Sequence, residues 1–172
     1  MARGFPRADV ARLLSNASYN EQVISLDKGQ PEFAKMPWEY IEGAVSSGRV
    51  NGGQRNFASQ STLLSQIEDR YGVPASIVTA IWGMESSYGQ GTGSSSLVNS
   101  LATLAYDGRR RGFAEEQLLA LLQLLERGDI DWSQLKGSWA GGMGHTQFIP
   151  KTWLDEAVDG NNDGHRNPWH VA

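Results

Sequence analysis

Apolar residues recur at helical spacing in segment after segment of this chain, and no strictly alternating run extends past about four residues. A chain patterned in this way builds helices and little sheet, so the expected fold class is mainly α. Asp9 reads as the N-cap of a first helix carrying Val10, Leu13, Leu14 and Ala17. The stretch from Ser18 to Pro37, which holds two prolines, reads as a loop, and Trp38 to Val45 follows it as a short helical segment. Phe57, Leu64, Ile67 and Tyr71 fall on one stripe of a long helix that Gly72 ends. Pro74 opens the next helix, where Ile77, Val78, Ala80, Ile81, Trp82 and Met84 cover most of the circumference, which predicts a central, buried element. Leu97, Leu101 and Leu104 mark another helix. Phe113, Leu118, Leu121, Leu122 and Leu125 mark one more, ended by Gly128. Asp131 and Gln134 have the spacing of a capping box, and Pro150 opens a last helix through Trp153, Leu154 and Val158.

Length and composition exclude several functions. The 172 residues suit one domain spanning 1–172. Without cysteine there are no disulfides, thiolate nucleophiles or cysteine-held zinc. Fifteen Lys and Arg against nineteen Asp and Glu leave no basic footprint for nucleic acid. No apolar run approaches the roughly 18 to 20 residues of a membrane span, and Met1–Phe5 is too short and polar for a signal peptide. The chain is therefore expected in the cytosol, or outside it after removal of an export signal. Its 20 glycines exceed the average share, and they cluster.

One cluster follows a carboxylate. Glu85 lies one, three and four residues after Met84, Trp82 and Ile81, which places it on the rows expected to face the core. Desolvation there, together with the negative end of its own helix, would raise its pKa and suit it to general acid/base work. Gly89, Gly91 and Gly93 then release the chain as an open loop that a substrate could reach. A helix-end glutamate bonded to a neighbour has the same local pattern. A dinucleotide or phosphate loop fits less well, because the glycines follow a helix and lack a Lys-Ser/Thr pair.

Ala80-Ile-Trp-Gly-Met-Glu-Ser-Ser-Tyr-Gly89 resembles the catalytic segment of the lytic murein transglycosylases of the membrane-bound lytic transglycosylase B type. Three further segments match in order: Leu101 to Tyr106 with Arg110-Arg111, Leu135 to Pro150, and Val158 to His165. The best-matched core runs from about residue 55 to 170. The resemblance implies a lysozyme-like α-helical fold and the peptidoglycan glycan strand as partner. It implies cleavage of the β-1,4 bond between N-acetylmuramic acid and N-acetylglucosamine, leaving a 1,6-anhydromuramyl end. Glu85 would serve first as acid and then as base, with no cofactor required. From Ser86 to Tyr106 there is no Asp or Glu, which suits a single-acid mechanism better than a local carboxylate pair, although Asp107, Asp131 or Asp155 could serve from farther along the chain. A hydrolytic muramidase of the same fold and a non-catalytic peptidoglycan-binding module are the alternatives.

By the same resemblance Ser138, Met143 and Gln147 line the site, while Gly141, Gly142 and Gly144 let backbone approach a sugar. A tight structural turn is the other reading of that loop. Tyr106 is either a sugar-facing wall or core, and Arg110 and Arg111 either bind muramyl or peptide carboxylates or form a solvated charge run. Trp139 is the favoured sugar-stacking tryptophan. Asp159, Asn161, Asp163 and His165 occupy the opening ligand positions of an EF-hand loop, with His170 where a bidentate glutamate would stand. Calcium is thus expected as an optional structural ion, with an Asx-rich turn as the alternative. The family's expected location is periplasmic or outer-membrane associated. Its pattern continues beyond Ala172 with a later acidic ligand and a further helix, so this chain is expected to be truncated on its C-terminal side.

Overall fold

The structure is a computed structural model that describes residues 4–29 and 36–170. In chain order it forms α1 (Arg7–Leu14), α2 (Glu21–Gly29), α3 (Pro37–Ala44), α4 (Ser47–Ser59), α5 (Ser61–Tyr71) and α6 (Ala75–Ser86). A two-residue strand β1 (Ser95–Ser96) precedes α7 (Leu97–Asp107) and α8 (Arg111–Glu126). A 3-10 turn (Trp132–Gln134), strand β2 (Lys136–Gly137) and α9 (Pro150–Glu156) complete it. The mainly α expectation is met, and the sheet is a single antiparallel pairing of Ser95 with Gly137 and Ser96 with Lys136. Among the described residues no helix is long and apolar enough to cross a membrane.

Backbone packing separates two compact units, one formed by Met1–Gly29 with Thr92–Ala172 and the other by Gln30–Gly91. The first is built on α7 and α8. Leu97 and Leu101 meet Leu118, Leu121, Leu122 and Leu124, and Leu13, Ile130 and Met143 close the same cluster. Full burial of each such side chain contributes about 1.5–3 kcal/mol. Ser96 caps α7 by accepting from Asn99 N, and Gly108 and Gly128 supply the left-handed residues that follow α7 and α8. Asp131 and Gln134 form the capping box the sequence predicts.

Four local expectations are corrected. Pro6, not Asp9, is the N-cap of α1; proline suits a helix start, and Asp9 lies in the first turn, where the helix dipole favours a negative charge. The segment read as a loop contains α2, started by an Asn20 side chain that accepts from Gln22 N and held by buried Val23 and Ile24. The single helix read through Phe57 and Tyr71 is two, α4 and α5, divided at Gln60. Val158 lies beyond the end of α9. The predicted stop of α5 at Gly72 does occur, in left-handed geometry.

In the second unit α4 forms despite Gly48, Gly52 and Gly53, each of which costs about 1 kcal/mol relative to alanine in an isolated helix. Tertiary packing against α6 offsets that cost. Helix α6 buries Ala75, Thr79, Gly83 and Ser86, all of them small. Ile77 and Ile81 are each 50% exposed and Met84 is 43% exposed. The buried central helix expected from its composition is therefore turned the other way within this unit.

Candidate active site

Glu85 stands in the last turn of α6, four residues after Ile81 and eight after Ile77, on the exposed apolar side. Its side chain is exposed, so the burial expected from the stripe is not found. The reason is spatial: the inner face of α6 is filled by small residues that admit close packing of α4. Within the described residues the Glu85 carboxylate makes no hydrogen bond or ion pair, whereas Glu68 and Glu39 accept from the backbone N–H groups of Ala75 and Met36. An apolar groove of about 440 Å³, lined by Val45, Val50, Phe57, Ala80, Met84 and Tyr88, opens in the same unit. An accessible carboxylate with no internal partner is the chemical requirement for a group that trades protons with a ligand.

The helix ends abruptly after Ser86. Ser87, Tyr88 and Gly89 all have positive φ, and Ser87 N and Tyr88 N donate to the Gly83 and Trp82 carbonyls. Ser86 Oγ accepts from Gly89 N (3.0 Å), and the Ser86 carbonyl accepts from Gly91 N (2.7 Å). The glycine-rich stretch thus turns back on the helix end instead of trailing away as an open loop.

The other unit holds the remaining expected site residues. Ser138 Oγ accepts from Gly142 N (2.8 Å), and Ser138 N donates to the Gly142 carbonyl (2.9 Å). Gln147, itself at positive φ, donates through Nε2 to the carbonyls of Thr92 (3.1 Å) and Gly144 (2.9 Å). Met143 is fully buried and bridges Phe148. Any side chain at Gly93 would strike the Gly137 backbone, and one at Gly144 would strike the Pro168 carbonyl. The expectation that Gly141, Gly142 and Gly144 serve close approach to a sugar is refined accordingly: here they let backbone approach backbone and side chains of the same unit.

Tyr106 is 78% exposed and meets Tyr19 edge to face at 5.8 Å, which decides against core. Trp139, the favoured stacking tryptophan, is partly buried and packs on the cluster of Val23, Ile24, Leu104 and Ala114. Arg110 donates to Asp27 Oδ1 (3.3 Å) and lies over the Phe113 ring at 4.3 Å. Arg109, which sequence reasoning passed over, grips the same carboxylate through Nε (3.0 Å) and Nη2, and reaches the Asp27 carbonyl (3.2 Å). Asp27 is buried in α2, the helix taken for a loop, and no local signal links it to residues some eighty positions away. Arg111 remains exposed and donates to the Ala105 carbonyl (3.2 Å).

Asp159, Asn161, Asp163 and His165 do form one exposed loop. Asp159 accepts from Asp163 N and Gly164 N, and Asp163 accepts from His165 N and Asn161 Nδ2. Those bonds hold the Asp163 carboxyl below the usual range, the Asn161 side chain being the main cause. Among the described residues no group of three or more His, Asp or Glu side chains gathers to hold a metal ion, so a calcium ion here would draw on Asn161 and loop carbonyl oxygens as well as on the carboxylates. Burial pushes His145 below its ordinary value, partly opposed by a hydrogen bond with the Trp169 backbone.

The family model described as the transglycosylase SLT domain matches residues 1–172. Membrane-bound lytic murein transglycosylase B of Escherichia coli strain K12 is 32% identical over 177 residues, covering 96% of this chain and 49% of that protein. SltB3 of Pseudomonas aeruginosa, solved in complex with NAG-NAM-pentapeptide, superposes with a TM-score of 0.91 at 45% identity, covering 99% of this chain and 46% of that one. Escherichia coli Slt35, solved in complex with calcium, gives a TM-score of 0.86 at 31% identity over 96% of this chain and 53% of that one. The chain thus spans about half the length of the relatives it matches. The lysozyme-like transglycosylase fold implied by the sequence motifs agrees with these matches.

Proposed function

The chain belongs to the transglycosylase SLT-domain family, and from that membership we propose that it cleaves peptidoglycan glycan strands by lytic transglycosylation, with Glu85 as the single acid and base. The observation that carries this reading is an exposed carboxylate at the end of α6, unpaired among the described residues and inside the segment that resembles the family's catalytic motif. Glu85 protonates the glycosidic oxygen as the bond from the muramyl C1 to that oxygen breaks. The muramyl C6 hydroxyl then closes on C1, and its proton passes to the Glu85 carboxylate. The acid is regenerated, no water is consumed, and the product carries a 1,6-anhydro ring.

Exposed Tyr106 and Arg111 are assigned to glycan contact, the ring for a pyranose face and the guanidinium for a carboxylate. Ser138, Met143 and Gln147 shape the loop between β2 and α9, and Arg110 supports the start of α8 by pairing with Asp27. Location in the periplasm or at the outer membrane follows from this substrate. SltB3 has also been solved with NAG-anhNAM-pentapeptide, an anhydro species, which favours transglycosylation over hydrolysis. The test is turnover of purified peptidoglycan by wild type and Glu85→Gln. Loss of a general acid is expected to lower kcat about 10²- to 10⁴-fold while glycan binding persists. Equal turnover by the two proteins would remove Glu85 from the chemistry, and binding without turnover in both would make the chain a glycan-binding module.

A further inference from the structure

A side chain in the last turn of a helix is aimed by backbone that the helix itself holds weakly, because the final carbonyls have no intrahelical partner. Glu85 is in that position, and the residues after it are strained. Ser87 (φ 50°) and Tyr88 (φ 62°) are consecutive non-glycine residues in the left-handed region, where a side chain crowds its own carbonyl. Such a pair persists only where the surroundings fix it. Here the fixing element is the Tyr88 side chain.

Its ring lies in a slot made by glycines. A Cβ at Gly52 or Gly53 of α4 would come within 2.9 Å or 2.7 Å of Tyr88 atoms, and one at Gly83 of α6 within 2.5 Å. Trp82 closes the slot edge to face, with centroids 5.6 Å apart. The Tyr88 hydroxyl donates to the Arg49 carbonyl at 2.7 Å, and the Arg49 guanidinium donates to the Ala44 carbonyl (2.6 Å) at the end of α3. One side chain thereby ties the end of α6 to α4 and, through Arg49, to α3.

We infer that Tyr88 is a positioning residue for Glu85: its ring and hydroxyl lock the last turn of α6 against α4 and so set the direction of the carboxylate. The inference rests on the catalytic reading of Glu85. Tyr88 touches no substrate in this account, and it acts through the backbone of residues 85–88. Gly52 and Gly53 of α4 are required by the ring they receive, whereas Gly48 has open space beside it.

The experiment compares Tyr88→Ala, Tyr88→Phe, Gly53→Ala and the Tyr88→Ala/Gly53→Ala double variant in the full chain, measuring kcat, KM and backbone hydrogen exchange at residues 85–91. Tyr88→Ala is expected to lower kcat about 100-fold with KM nearly unchanged, the scale of an ångström-sized misplacement. Tyr88→Phe keeps the ring and loses only the hydrogen bond, so the drop shrinks to about fivefold and exchange at 85–91 quickens. Gly53→Ala lowers kcat when Tyr88 is present and adds nothing in the Tyr88→Ala background. Wild-type kcat in a folded Tyr88→Ala protein overturns the inference, as does additive behaviour of the double variant. If Tyr88→Ala fails to fold, Tyr88→Phe decides, and unchanged exchange at 85–91 in that variant counts against the lock. Full turnover by Glu85→Gln would instead overturn the catalytic reading, while the exchange result would still report on the lock.

Discussion

Helices α6 and α8 read alike in sequence, each apolar around much of its circumference, yet they pack in opposite ways. Helix α8 buries Leu118, Leu121 and Leu122 against α7, as its spacing predicts, with Leu124 fully buried and the expected Leu125 only partly so. Helix α6 buries Ala75, Thr79, Gly83 and Ser86 and leaves Ile77, Ile81 and Met84 outward with Glu85. The difference lies in the neighbours. Leucines on α7 leave room for leucines on α8, whereas Gly52 and Gly53 on α4 bring backbone and the Tyr88 ring so near α6 that only small residues fit between. Apolar periodicity identifies a helix; the partner decides which face is buried.

The sharpest way to break this comparison is to truncate one large residue on each helix. Leu121→Ala is expected to destabilise the protein by about 2–5 kcal/mol in chemical denaturation. Ile81→Ala should change it by no more than about 0.5 kcal/mol, as at other exposed positions. Equal losses would mean that α6 is buried in the same sense as α8.

The next test concerns the start of α8, whose N-cap residue Arg110 shares Asp27 with Arg109. Asp27→Asn removes charge-assisted bonds from a carboxylate that is 2% exposed, and a loss of about 1.5–3 kcal/mol is expected. An unchanged denaturation midpoint would show that the pair contributes nothing to anchoring α8.

Much of this architecture was legible in advance. Helices α7 and α8 carry long leucine series with glycine stops, and the Asp131 capping box is a local pattern, so all were read correctly. Helix α2 is hidden because it has few apolar residues and is followed closely by Pro31 and Pro37. The exposure of Glu85 was not readable, since it depends on α4 glycines more than thirty residues away. Glu85 was singled out through resemblance to a motif, its local pattern alone being equally that of an ordinary helix end. Arg109 and Asp27 were missed because their pairing crosses 82 positions and one partner lies in the unrecognised helix.

The smallest expected effect is a pH dependence in the loop that carries Met143 into the α8 core. Burial lowers the His145 pKa in the folded state, so the unfolded chain binds the proton more readily. Stability is therefore full above the ordinary value of 6.5 and declines as pH falls from there toward the lowered folded-state value. Replacing His145 with Gln should flatten that part of the denaturation profile, and an unchanged slope would exclude His145 as its source.

The most direct test of the central claim is digestion of peptidoglycan by the purified chain in water labelled with heavy oxygen, followed by mass spectrometry of the muropeptides. Transglycosylation through Glu85 predicts 1,6-anhydromuramyl ends that carry no label, and their absence from the Glu85→Gln digest. Labelled reducing ends in place of anhydro ends would show that water, not the C6 hydroxyl, closes the reaction, and would contradict the account.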